Sequence, residues 1–389
     1  MPIKNRFAEL QPEIAGWRQD FHAHPELRFD LPRTTARVAA LLRDFGVDDI
    51  TEGVGQSGIV AVIRGRSTDS GKVLGFRADM DALPIIEATG LAHASTEGGK
   101  MHACGHDGHT AILLGAAKYL AETRNFDGTV VLAFQPAEEG GGGARAMVDD
   151  GLMERWGIQE VYGLHNMPSL PVGSFAIKEG PLLAAADFFE ISVRGKGGHG
   201  AMPHLCFDTT LAASAVVMAL QQVVARNVPA FNPAVLSVTG FQTDTMAHNV
   251  IPDSAKLTGT VRTFDVPTKE LIRARIIAVV QATAEAYGAT AVTEYFDGVL
   301  PTINPPEQTA VAMAAAQAVA GSVKTDITPS MGGEDFAEML AKRPGAFILL
   351  GNGASADLHH PKYEFNDEAI PAGASWFATL AEQRMPLNG

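Results

Sequence analysis

The chain has 389 residues, of which 46% are hydrophobic and 19% charged, with a formal net charge of −14. That length favours two domains, and the composition suits ordinary globular cores. The negative balance argues against nucleic acid or an anionic membrane as main partner, although local arginines can still receive an anionic substrate.

In chain order, the opening MPIKNRFAELQPEIAGW lacks the long apolar core of a signal peptide. Thr34–Phe45 and Thr110–Thr123 carry apolar residues at helical spacing. Ile59–Ile63, Val73–Phe76, Thr129–Phe134 and Val161–Leu164 read as buried strands. This alternation predicts an α/β sheet with helices on both faces. Between about Asp187 and Asp297 the order becomes βαββαβ: FFEISVRG, helix Thr209–Arg226, AVLSVTGFQT, AKLTGTVRTF, helix Lys269–Tyr287 and TAVTEYF. That is the ferredoxin-like split arrangement. The expected domains are therefore 1–186 with 298–389, and an inserted 187–297, with Pro301, Pro305 and Pro306 marking the return. No run of 18 apolar residues is expected, hence no transmembrane helix. Cys104 and Cys206 are the only cysteines, too few for a disulfide framework, so a reducing cytoplasm is the expected setting.

Chemistry concentrates in the first half. MHACGHDGHT places Cys104 two residues from His106. Glu138 and Glu139 follow GTVVLAFQPA, His165 follows VYGL, and His359 lies in the loop after AFILLG. A thiolate, three imidazoles and two carboxylates suit a borderline transition metal, with one carboxylate left over to move protons. In open α/β sheets such groups gather outside the carboxyl ends of the strands. Adjacent glutamates on an extended strand end point in different directions, so one can bind metal while the other faces water. The run Gly140–Gly143 is expected to let backbone pass close to a metal.

The motifs GFRADMDALP, HACGHDGHTA, FQPAEEGGGGA, GLHNMP, GKGGHGAMPH, HNVIPDSA, GTVRTFD, GGEDF and LHHPKYEFND occur in order. Together they resemble the amidohydrolase branch of the aminoacylase/carboxypeptidase metallopeptidase family, which includes hippurate hydrolases, N-acyl-amino-acid amidohydrolases and auxin-conjugate hydrolases. The resemblance covers nearly the whole chain. It implies a catalytic domain with a mixed, mostly parallel sheet and two divalent metals, plus an inserted lid domain that mediates dimerisation. It makes Cys104 the ligand bridging the two ions, with His106, His165, Glu139 and His359 completing the set and Glu138 the catalytic base. Zinc, manganese, cobalt and nickel all suit these ligands. The wider family has His-x-Asp where this chain has Asp79-Met-Asp81. His106 then supplies the missing ligand, Asp81 supports from behind, and the role of Asp79 stays open. His359 and His360 compete for one position, and the branch pattern Leu-His-x-Pro selects His359. His109 is expected to pack behind the ligands, and His22 and His24 to be structural. In the insert, the resemblance makes His199 the stabiliser of the oxyanion, reaching across a dimer, and lets Asn249 and Arg262 meet the substrate's polar end.

The implied reaction is hydrolysis of the amide of an N-acyl amino acid by a cytoplasmic homodimer or dimer-based tetramer. One rival is a dipeptidase or aminopeptidase of the same fold, disfavoured by the Cys104–His106 motif. Others are a catalytically idle metal-binding protein and a redox thiol enzyme. The last lacks a resolving cysteine near Cys104.

Overall fold

The computed structural model describes residues 5–387. The chain divides into two units: residues 1–180, 303–328 and 335–389, and residues 181–302 with 329–334.

The strands of the first unit, numbered along the whole chain, are β1 (Asp49–Val54), β2 (Gly58–Arg64), β3 (Val73–Asp79), β4 (Thr129–Gln135), β5 (Glu160–Pro168) and β6 (Phe175–Ala176). After the four strands of the second unit's main sheet come β11 (Val323–Lys324) and β12 (Gly345–Gly353). They form one sheet in the order β1-β2-β4-β3-β5-β12-β6-β11. The centre, β4-β3-β5-β12, is parallel, and antiparallel pairs flank it. β2, β4 and β12 are buried almost end to end, as expected of strands covered on both faces. Alternation along β5 and β12 shows the two layers. Tyr162, Leu164, Ala346, Ile348 and Leu350 enter the main core, while Gly163 and Phe347 turn the other way, towards Phe336.

That main core is built by α1 (Asn5–Ala23), α2 (Pro32–Asp44) and α3 (His106–Thr123), and later by α6 (Pro306–Ala320) and α7 (Ile370–Arg384). α3 is buried on every side from His106 to Ala117, so it runs through the unit instead of lying on its surface. It starts directly after Gly105, whose φ of 87° is left-handed. Cys104 and His106 are thereby delivered from a sharp turn at the buried head of a helix.

The second unit contains β7 (Ala185–Arg194), α4 (Thr209–Asn227), β8 (Ala234–Thr243), β9 (Ser254–Thr263), α5 (Val266–Ala286) and β10 (Thr290–Val299). These four strands form an antiparallel sheet in the order β8-β9-β7-β10. This is the ferredoxin-like order. Both helices start on an aspartate cap: Asp208 accepts from Leu211 N, and Asp265 from Thr268 N. Their apolar faces, with Val216, Leu220, Ile272 and Ile276, close over one side of the sheet.

α4 is 19 residues long and apolar enough by length and composition to cross a membrane, although Gln221, Gln222 and Arg226 interrupt its apolar run. Its alanines and valines are there because one face packs on the sheet. The run Gly140–Gly143 forms a tight turn. Gly141 and Gly143 fold back onto Ala137 and Pro136, where a Cβ on Gly143 would meet Pro136 O at 1.6 Å. The crowding comes from the chain's own tight turn.

Candidate metal centre

The donors come from four segments at one end of the parallel strands. Cys104 and His106 flank the head of α3, Glu138 and Glu139 follow β4, and His359 lies in the loop after β12. His165 was expected after its strand but sits inside β5, which continues to Pro168. Three overlapping groups of ligand atoms are close enough to share a cation: Cys104–His106–His165, Cys104–Glu139–His359 and His106–Glu138–Glu139.

The imidazoles are oriented from behind. His106 Nδ1 donates to the backbone carbonyl of Asp81 at 2.8 Å, and its buried Nε2 makes no hydrogen bond. His165 Nδ1 donates to Asn166 O at 2.6 Å, which leaves Nε2 3.4 Å from Cys104 Sγ. A neutral imidazole whose Nδ1 proton is committed to a carbonyl presents an Nε2 lone pair, the arrangement of a metal ligand. His359 Nε2 lies 3.2 Å from Glu139 Oε1. His359 has a left-handed φ of 64° and is held by its amide to Ala103 O. His360 instead accepts from Lys362 N through Nδ1, a local bond on an exposed residue.

The glutamates are not on an extended strand end, as the sequence reading supposed. Ala137 takes a φ of 53° and Gly140 N donates back to Glu138 O, so both glutamates ride a tight turn. Asp81 anchors that turn: its two carboxylate oxygens accept from Glu138 N at 2.9 Å and Glu139 N at 3.2 Å. Glu138 Oε1 accepts from Asp335 N at 3.4 Å, and its Oε2 is 4.0 Å from His106 Nε2.

Without a cation the charges are at odds. Burial pushes the Cys104 thiol well above its usual range, and burial lowers His165 to about 3. Burial also works against a charged His106, yet the charge of Asp79 and the bonds around it raise it well above normal. A divalent ion would reverse the thiol's preference, since thiolates form beside cations. A thiol shared by two donor groups and an unclaimed buried nitrogen on His106 fit a borderline metal ion.

Asp79 and His109 lie beside these donors but are committed elsewhere. His109 Nδ1 donates to Asp79 Oδ1 at 2.7 Å, and its Nε2 accepts from Asn166 N at 2.9 Å. Asp79 Oδ2 accepts from Arg77 at 2.7 Å. Sequence reasoning missed Arg77, Asn166 and Tyr363, because a polar residue inside an apolar strand or a loop motif says nothing of its partners. His22 is buried, as its structural reading expected: its Nδ1 is 2.8 Å from Asp107 and its Nε2 3.4 Å from Glu87.

In the second unit His199 pairs with Val250 on a short two-stranded ribbon, and Gly200 N donates to Asn249 O at 2.8 Å in the turn beside it. His199 is exposed, and its Nδ1 accepts from Ala201 N at 3.1 Å. That places its proton on Nε2. Arg262 lies over the ring of Phe188, 5.5 Å from the centroid, and bonds Val261 O and Thr260 Oγ1. Among the described residues it pairs with no carboxylate.

Residues 75–383, well over half of the chain, match the model of peptidase family M20/M25/M40. The chain is 40% identical over 369 residues to N-acetylcysteine deacetylase of Bacillus subtilis (strain 168), covering 95% of this chain and 96% of that one. It is also 40% identical over 375 residues to hippurate hydrolase of Campylobacter jejuni, covering 96% and 97%. A solved Bacillus subtilis structure, described as a dinuclear metal binding peptidase from the M20 family, superposes with a TM-score of 0.85. It shares 36% identity and covers 97% of this chain and 99% of its own. The chain belongs to peptidase family M20/M25/M40, in its amidohydrolase branch, and is an enzyme acting on linear amides.

Proposed function

We propose that the protein hydrolyses the amide bond of N-acyl amino acids, releasing a carboxylic acid and an amino acid. Cys104, His106, Glu139, His165 and His359 hold two divalent ions (zinc, manganese, cobalt or nickel). The observation that carries this reading is the Glu138–Glu139 turn. Both backbone amides are tied to Asp81, so one side chain can join the donors while its neighbour keeps its own place. Support for the substrate class comes from two relatives whose names specify N-acetylcysteine and hippurate, both N-acyl amino acids.

Bound cations supply Lewis acidity and make water acidic enough to attack near neutral pH. Glu138 accepts the proton of the attacking water on a carboxylate oxygen and delivers it to the leaving amine nitrogen, serving as base and then acid. The Nε2–H of His199 donates to the oxyanion, as a preorganised donor should. Arg262 and Asn249 bind the substrate's carboxylate, for which an arginine without a carboxylate partner is well suited. The working form is a cytoplasmic homodimer, or a dimer-based tetramer, joined through the second unit.

The test is an activity screen over benzoyl-, acetyl- and indoleacetyl-amino acids, with each metal restored to apo-protein. Turnover of at least one series is expected. Turnover of free dipeptides alone would replace this reading with a dipeptidase, and metal binding without any turnover would leave an idle metal protein.

A further inference from the structure

Behind the donors runs a continuous chain of polar groups, all but shut off from solvent. Arg77, Asp79, His109, Gln135, Asn166, Asp335 and Tyr363 are each no more than 1% exposed. Arg77 lies at its base. Its Nε donates to Gln135 at 2.8 Å, Nη2 to Asp335 at 3.1 Å and Nη1 to Asp79 at 2.7 Å. Asp79 accepts from His109, and His109 accepts from Asn166 N.

The chain ends on Asn166. Its Nδ2 donates to the carbonyl of Cys104 at 2.6 Å, and its Oδ1 accepts from Tyr363 Oη at 2.7 Å. Its own carbonyl accepts from His165 Nδ1. One residue therefore grips the backbone of one donor and the ring of another. The turn between Cys104 and His106 rests directly on it: a Cβ on Gly105 would come within 2.3 Å of Asn166 Nδ2 and 2.5 Å of Tyr363 Oη.

Asp79, His106 and His109 are close enough together to hold a cation themselves. The hydrogen bonds argue against it. The single lone pair of a neutral His109 is used by Asn166 N, and each oxygen of Asp79 already accepts a short bond. These groups form a frame instead of a third set of ligands. One guanidinium against two carboxylates also leaves the frame net negative, which favours cations in front of it.

We propose that Asn166, braced by the chain Arg77–Asp79–His109, is the positioning residue of the metal centre and aims Cys104 and His165 at the same ion. This rests on the metal-site reading given above. The test is titration of the apo-protein with Co(II), following both affinity and the sulfur-to-cobalt charge-transfer absorption, which reports thiolate ligation directly. In Asn166→Leu, Co(II) affinity should fall roughly 10- to 100-fold and the thiolate band should weaken or shift, the size of effect seen when partners of metal ligands are removed. Tyr363→Phe, which removes one hydroxyl, should give a smaller change in the same direction. Folded Asn166→Leu protein with wild-type affinity and an unchanged band overturns the proposal. Should that variant fail to fold, unchanged affinity and band in Tyr363→Phe overturn it instead. Wild-type protein without a thiolate band, or Cys104→Ala protein that retains it, overturns the metal-site reading and this proposal together.

Discussion

Two buried histidine–carboxylate clusters meet at the first turn of α3, and they behave as opposites. In one, His106 and His165 each donate Nδ1 to a backbone carbonyl and turn Nε2 towards a thiol and carboxylates. In the other, the neighbouring Asp107 faces the opposite way, against His22 and Arg18. There both nitrogens of His22 lie against carboxylates, and Arg18 holds Asp367 through two bonds of 2.7 and 2.9 Å. His22 lies between two carboxylates, whereas His106 and His165 give Nδ1 to a carbonyl and keep Nε2 for the candidate donors. Position in the chain does not distinguish the clusters, since His106 and Asp107 are consecutive. The partner of Nδ1 does, a carboxylate for His22 and a carbonyl for His106 and His165.

Substitutions should separate the two clusters. Glu138→Gln should leave metal content at wild-type level and cut turnover by ~10²–10⁴, the usual worth of a general base. Metal analysis beside a hydrolysis assay checks it, and an active, metal-replete variant refutes the assignment. Arg18→Leu should do the reverse. It leaves Asp367 to Gln19 and weakens the charge balance at Asp107, with an expected loss of about 3–5 kcal/mol of stability. Urea unfolding measures that loss, and the folded fraction should still take up metal.

pH sharpens the contrast further. Burial alone would lower His22, but Asp107 and Glu87 outweigh it and raise it to about 9. A raised histidine adds stability that is fully present below its unfolded value near 6.5 and is lost as pH rises through about 9. The stability difference between wild type and His22→Gln, followed by denaturant melts of apo-protein, should therefore shrink steadily from pH 6.5 to 9. A constant difference would mean that His22 is not charged in its cluster. The smallest effect is expected at the His359–His360 pair: His360→Ala should change metal affinity by less than a factor of two to three, whereas His359→Ala should lower it clearly. Equal losses would show that the loop can present either ring.

Much of this was legible in the sequence because it follows from periodicity. The strand assignments at Ile59, Val73 and Thr129 each lay within a residue or three of the observed ends. The split βαββαβ order emerged as the sheet β8-β9-β7-β10. The candidate donors could be picked out by residue type at the edges of elements, and the fold brings Cys104, His106, Glu138, Glu139, His165 and His359 into overlapping groups. The orienting groups were not. Arg77 and Asn166 lie within β3 and β5, where a strand pattern gives the face but not the partner, and their side-chain hydrogen bonds outside their own strands cross 57 to 258 residues of chain. The geometry of the glutamate pair was misread for a local reason. Nothing in Pro136–Ala137 announces a left-handed alanine, so an extended strand end looked adequate.

The bonds from Asp81 fall on the backbone amides of residues 138 and 139, and backbone amides are present whatever side chain follows. The turn is thus indifferent to what it carries. Glutamate and glutamine differ by a single base in the genetic code, so on the proposed reading a duplicated gene could exchange the proton carrier in one mutational step while keeping its fold and donor set. Such a descendant would load metal and stay silent, and Asp81 would be the residue that keeps the path short.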